Sequence, residues 1–193
     1  MESTRIACLL MVLVFVACAP DRAISAEDAA PRSSLDEAGD DPERVEGSAL
    51  RPMDPQLRGV VQAGREQSPS FRAIVDRIAA TDVVVYVQCA RLRSHLDGEL
   101  QFMSAVGGIR YVLVRLSWPL TTSRKIAILG HELQHALEIA ERSAIVDSTT
   151  LARAYEQFGV TRRAGSRVDF DTAAAIGTGK AIWREVTLRA DGD

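Results

Sequence analysis

The chain has 193 residues, with 26 acidic and 23 basic side chains and a formal net charge of −3. Its three cysteines fall at positions 8, 18 and 89, so only Cys89 lies in the body of the chain and no internal disulfide is available there. No basic run is interleaved with aromatics, which argues against a nucleic-acid partner and leaves the arginines as a solvated surface.

At the N-terminus Arg5 precedes an apolar run from Ile6 to Ala17, the length of a signal-peptide core and too short to span a membrane. Two processing routes fit. Cleavage after Ala26, in Ala23-Ile24-Ser25-Ala26, releases a soluble protein. Alternatively, Phe15-Val16-Ala17-Cys18 is similar to a bacterial lipobox, which makes Cys18 the lipidated first residue and a membrane tether. Both routes predict export, as a periplasmic, secreted or membrane-anchored protein. Residues 1–26 therefore read as a leader. Residues 27–50 read as an acidic tether, because Glu27 to Gly47 holds eight acids against Arg32 and Arg44 and little apolar mass to order it. From Ser48 onward the balance turns weakly cationic, with 19 basic and 16 acidic residues. Residues 51–193 are enough for one domain with a single modest core.

Within that domain, Pro69 to Ala80 predicts an amphipathic helix: Ser68 caps it, Pro69 suits its first position, and Phe71, Ile74, Val75 and Ile78 share one face. Asp82 to Cys89 is β-branched and strand-like, with Cys89 acting as a small hydrophobe. Glu99 to Ala105 and Ile109 to Leu116 predict two more strands, and Gly107-Gly108 joins them as an antiparallel hairpin. Arg110, Val112, Val114 and Leu116 fall on one face of the last of these.

Next comes His131-Glu132-Leu133-Gln134-His135, inside a stretch from Thr121 to Ala140 that reads as one helix. Hydroxyl residues cap its start, and Ile126, Leu129, Leu133, Leu137 and Ala140 form a buried stripe. Gly130 costs helix stability and allows close approach of a neighbouring backbone. Residues i and i+4 of a helix share a face, so both imidazoles can bind one metal ion. Glu132 lies beside the open metal position, where a carboxylate can take a proton from water whose pKa zinc lowers to near 7. The bland alternative is a solvated helix face.

Beyond the motif, Asp147 to Thr150 is a capping sequence for a short helix from Leu151 to Phe158, which Gly159 ends. A polar loop from Arg162 to Arg167 leads to a last helix from Asp171 to about Leu188. The order predicts an α+β domain: a short antiparallel sheet with a backing helix, the motif helix and two C-terminal helices.

The run Leu129-Gly130-His131-Glu132-Leu133-Gln134-His135-Ala136-Leu137-Glu138, with a hairpin before it and helices after it, resembles the zincin metallopeptidases, closest to small gluzincin-like forms exported by bacteria. The resemblance covers roughly residues 70–190, and only the motif helix is specific. It implies a zinc cofactor, a peptide or protein substrate, His131 and His135 as ligands, Glu132 as general base and a third ligand downstream.

That third ligand is open. Catalytic zinc sites use three protein ligands plus water. Glu138 and Glu141 stand where a metzincin carries Gly and His, which excludes that group, and His95 lies upstream, as a surface loop residue. Glu156 points away from the apolar face of its helix, Asp147 is a cap, and Tyr155 reads as a core residue rather than an oxyanion donor. Asp171 lies on an inward-facing edge with Ala175, Ile182 and Val186, so it is the choice for third ligand, although helix capping explains it equally well. Glu138 is the runner-up, better placed to orient His135. The expected activity is hydrolysis by a zinc metallopeptidase. The rival reading is a non-catalytic, tethered interaction module that keeps the scaffold.

Overall fold

The computed structural model describes residues 8–10, 48–93, 96–164 and 167–190. His95, Cys18, most of the leader and residues 27–47 of the acidic tether lie outside the described residues, whereas Leu50, expected at the end of the tether, is buried in the fold. The domain is α+β, with elements β1 (Cys8–Leu10), β2 (Leu50–Pro52), α1 (Pro55–Gln67), α2 (Pro69–Ala79), β3 (Val83–Ala90), β4 (Gly98–Val106), β5 (Ile109–Ser117), α3 (Thr122–Ala140), α4 (Ser148–Phe158), β6 (Val160–Ala164), β7 (Arg167–Asp171) and α5 (Ala173–Ala190).

The main sheet has the order β1-β4-β5-β3-β2. Gly107 and Gly108 sit at φ 61° and 78°, a turn geometry open chiefly to glycine, and they fold β4 and β5 into the expected antiparallel hairpin. The sheet as a whole is mixed, which corrects the expected antiparallel one. β4 follows β3 in the chain but pairs with β5 and not with β3, so β5 lies between the two, parallel to β3. Val83, Val85, Val87, Leu100, Phe102, Val112, Val114 and Leu116 alternate onto the buried face.

Residues 50–67, to which periodicity assigned nothing, form β2 and α1. The local signal is Asp54 ahead of Pro55: its carboxylate accepts from the Leu57 amide at 2.9 Å, and Pro55 occupies the first turn. Helix α2 starts as expected, with Ser68 accepting from the Phe71 amide at 3.0 Å.

Helix α3 runs through the middle of the domain. Thr121 caps its start, and every residue from Lys125 to Ile139 is buried. Helices α1, α2 and α5 and the sheet all lie against it, so it has no solvated face. The polar residues of the motif are therefore interior groups that need partners. Arg110 caps the other end. Its guanidinium donates to the carbonyl oxygens of Ile139, Ala140, Arg142 and Ile145 at 2.6 to 3.3 Å, and to both carboxylate oxygens of Asp82 at 2.7 Å. Arg110 is only 5% exposed, so this arginine is structural and not part of a solvated surface.

Helices α3 and α5 cross closely because glycine lies at the crossing. A Cβ on Gly130 would stand 2.1 Å from Ile182 Cδ1, and one on Gly179 would stand 3.2 Å from His131 Cβ. The close approach expected at Gly130 is thus made by a side chain of α5.

The polar stretch expected as a loop is a hairpin, β6 paired antiparallel with β7 from Val160↔Asp171 to Ala164↔Arg167. Pairing satisfies backbone groups that a loop would leave to water. Asp171 consequently ends β7 and does not begin the last helix. Thr172 caps α5 in its place, its hydroxyl accepting from the Ala175 amide at 3.0 Å.

Candidate metal centre

Helix geometry brings His131 and His135 together, with their Nε2 atoms 3.2 Å apart and their ring planes 73° from parallel. The end of β7 delivers Asp171, whose Oδ1 lies 3.3 Å from His131 Nε2 and 3.7 Å from His135 Nε2. A tetrahedral zinc site with bonds of about 2.0–2.1 Å has donor atoms about 3.3–3.4 Å apart. The three donors match that spacing, and the group can hold a metal ion.

Two further observations fit an ion. Asp171 Oδ2 is buried with no hydrogen-bond partner, although Asp171 Oδ1 accepts from the Thr172 amide at 2.8 Å. Charge argues the same way. Glu132, Glu138 and Asp171 are three carboxylates in one buried region with two imidazoles, all no more than 5% exposed. Burial pushes the Asp171 carboxyl up, but its hydrogen bond to His131 and the charges of His131 and His135 outweigh this and hold it below the usual range. For Glu138 burial is again the largest influence, overcome by bonds from His135, Thr172 and Tyr155. Burial would lower His135, yet the Glu138 bond and the charges of Glu132, Glu138 and Asp171 leave it raised. The pocket thus favours positive charge, which a divalent cation supplies.

Glu138 stands behind the donors, not among them. Its Oε2 lies 2.9 Å from His135 Nδ1, on the far side of the ring from Nε2. Tyr155 OH donates to the same oxygen at 3.0 Å and lies 2.9 Å from His135 Nδ1, and Thr172 Oγ1 donates to Glu138 Oε1 at 2.6 Å. A carboxylate at Nδ1 keeps the proton there and leaves the Nε2 lone pair for a metal. Burial raises the Tyr155 phenol well above its ordinary value, so it stays a donor.

Glu132 is fully buried beneath the start of β4. A Cβ on Gly98 would lie 3.0 Å from Glu132 Oε1 and 2.5 Å from Ile128 Cγ2, so glycine there makes room for the carboxylate.

The structure therefore joins His131, His135 and Asp171, puts Glu138 in the supporting role and exposes Glu156. Asp147 caps α4, with Thr150 N–H donating to it at 2.7 Å. Cys89 is half-buried, and burial pushes its thiol up. The sequence reading missed Thr172, Gly98 and Gly179. Thr172 had a signal, a hydroxyl residue just before an alanine-rich helix; the two glycines had none, because what they make room for belongs to another element. Among the described residues no helix is long and apolar enough to cross a membrane. Comparison of the chain with protein-family models, with curated proteins and with solved structures gave no match in any of the three.

Proposed function

We propose that the protein is an exported, zincin-type metallopeptidase, with zinc held by His131, His135 and Asp171 and peptide or protein as substrate. The observation that carries this reading is the near-tetrahedral spacing of two imidazole nitrogens and a carboxylate oxygen, 3.2 to 3.7 Å apart, with Glu132 close enough to His135 for its charge to act on that ring. Two His and one carboxylate are a recurring donor set of hydrolytic zinc sites. Zinc bound there lowers the pKa of a water towards 7 and polarises a substrate carbonyl.

The protein's own groups do the rest. Glu132 takes the proton of the attacking water on a carboxylate oxygen and hands it to the leaving amine. Glu138 holds the tautomer of His135, and Tyr155 and Thr172 hold Glu138. The leader supports export, and Cys18 supports a membrane tether if the lipobox route is used. Glu132→Gln tests the mechanism. Hydrolysis of an unstructured protein substrate should be abolished while zinc stays near one equivalent. Unchanged hydrolysis rejects the role of Glu132.

One observation favours the rival reading, a tethered interaction module with a structural metal. His131, His135 and Asp171 are each at most 1% exposed, whereas a catalytic ion needs an open position. Zinc at one equivalent, with no turnover after the leader is removed, would support that module.

A further inference from the structure

The burial of the metal centre has a specific neighbour. Residues Cys8–Leu10 pair in parallel with β4, with Cys8 opposite Gly98, Leu9 opposite Glu99 and Leu10 opposite Leu100. Without β1, β4 would be the edge of the sheet, with a row of unpaired amides and carbonyls. The same three residues also lie against β7 and α3. β7 ends in Asp171, and α3 carries His131, Glu132 and His135. Gly98 is the residue that makes room for Glu132. The N-terminal strand thus runs between the two elements that bring Asp171 and Gly98 to the site, across the helix that holds its other groups.

We infer that Cys8–Leu10 is an internal plug: it fills a channel between β4 and β7 that takes an extended peptide once the leader is gone. Ladder bonds to the β4 edge provide affinity that does not depend on sequence. The unprocessed chain is self-blocked, and leader removal both frees the edge of β4 and exposes the metal centre. This deepens the peptidase reading, on which it rests for the fate of the bound peptide, but binding itself can be tested apart from hydrolysis.

The test uses the full chain with Glu132→Gln, so that no probe is consumed, and a site-specific protease sequence in place of residues 33–39. Hydrogen exchange is measured before cutting and again after cutting and gel filtration, with a fluorescent peptide of residues 6–12 as the binding probe. The plug predicts that the amides of Gly98 to Leu100 exchange about tenfold or more faster after cutting, while β3 and β5 keep their protection. It also predicts that the peptide binds the cut protein and not the intact one. Unchanged β4 exchange once gel filtration in mild urea has stripped the cut leader, equal peptide binding by both forms, or loss of protection throughout the sheet overturns it. If cutting opens the channel and the same cut chain with Glu132 intact and zinc bound hydrolyses nothing, the plug stands and the peptidase reading falls.

Discussion

Glu138 Oε2 and His135 Nδ1 lie 2.9 Å apart on one face of α3, and this contact turns the Nε2 of a buried histidine towards His131 and Asp171, where the three can hold a metal ion. The carboxylate fixes the ring from behind, while Tyr155 and Thr172 satisfy the carboxylate's remaining acceptor sites. Because the contact supports a donor without being one, it can be weakened with the three donors left in place.

Glu138→Gln should therefore lower zinc affinity by about 10- to 100-fold, the usual effect of losing such a supporting group. Competition with a fluorescent chelator measures this. Tyr155→Phe should move affinity in the same direction by less, since Thr172 still holds Glu138. An affinity unchanged in Glu138→Gln would show that His135 is oriented by packing alone.

Gly130→Ala should destabilise the fold by about 1–3 kcal/mol through overpacking against Ile182. For a domain of this size that lowers the thermal midpoint by about 2–4 °C per kcal/mol. Ile182→Val removes the atom that the new methyl meets, so the double variant should recover most of the loss. If the two changes simply add, the close approach of Ile182 is not what requires glycine.

Arg110→Leu should cost about 2–4 kcal/mol, since it removes the guanidinium from four carbonyls at and just after the end of α3, of which only those of Ile139 and Arg142 also accept from backbone amides, and breaks the bond to Asp82. Asp82 is 41% exposed, so water takes over much of its side of the pair. A urea midpoint measured on the metal-free protein keeps this effect apart from any metal bound at the candidate centre. A midpoint within error of the parent would show that the carbonyls find other donors.

Stability should also fall on acidification through Glu185. Burial pushes its carboxyl up, but hydrogen bonds from Ser68 and Ser70, including the Ser70 amide at 3.1 Å, hold it below its ordinary value. A depressed acid stabilises the fold above the unfolded value of about 4.3 and loses that contribution as pH falls through the folded value. Urea unfolding from pH 6 to pH 3 should show the decline, and Glu185→Gln should flatten part of it. An identical slope in the variant would assign the acid sensitivity to other carboxylates.

The α+β class, the β4–β5 hairpin, the caps of α2, α3 and α4 and the pairing of His131 with His135 were legible in the sequence, because each rests on contacts a few residues long. A helical turn sets two side chains side by side wherever the helix is placed, and Gly107-Gly108 turns a chain back whatever packs on it. Long-range packing decided the rest. Asp171 joins the two histidines because β7 ends beside α3, and Glu138 does not because His135 Nδ1 is what it meets. The burial of α3 on all sides, the parallel seating of β3 on β5 and the need for glycine at 98, 130 and 179 follow from how separate elements dock. That docking sums many weak contacts spread along the whole chain, so no short stretch of residues records it.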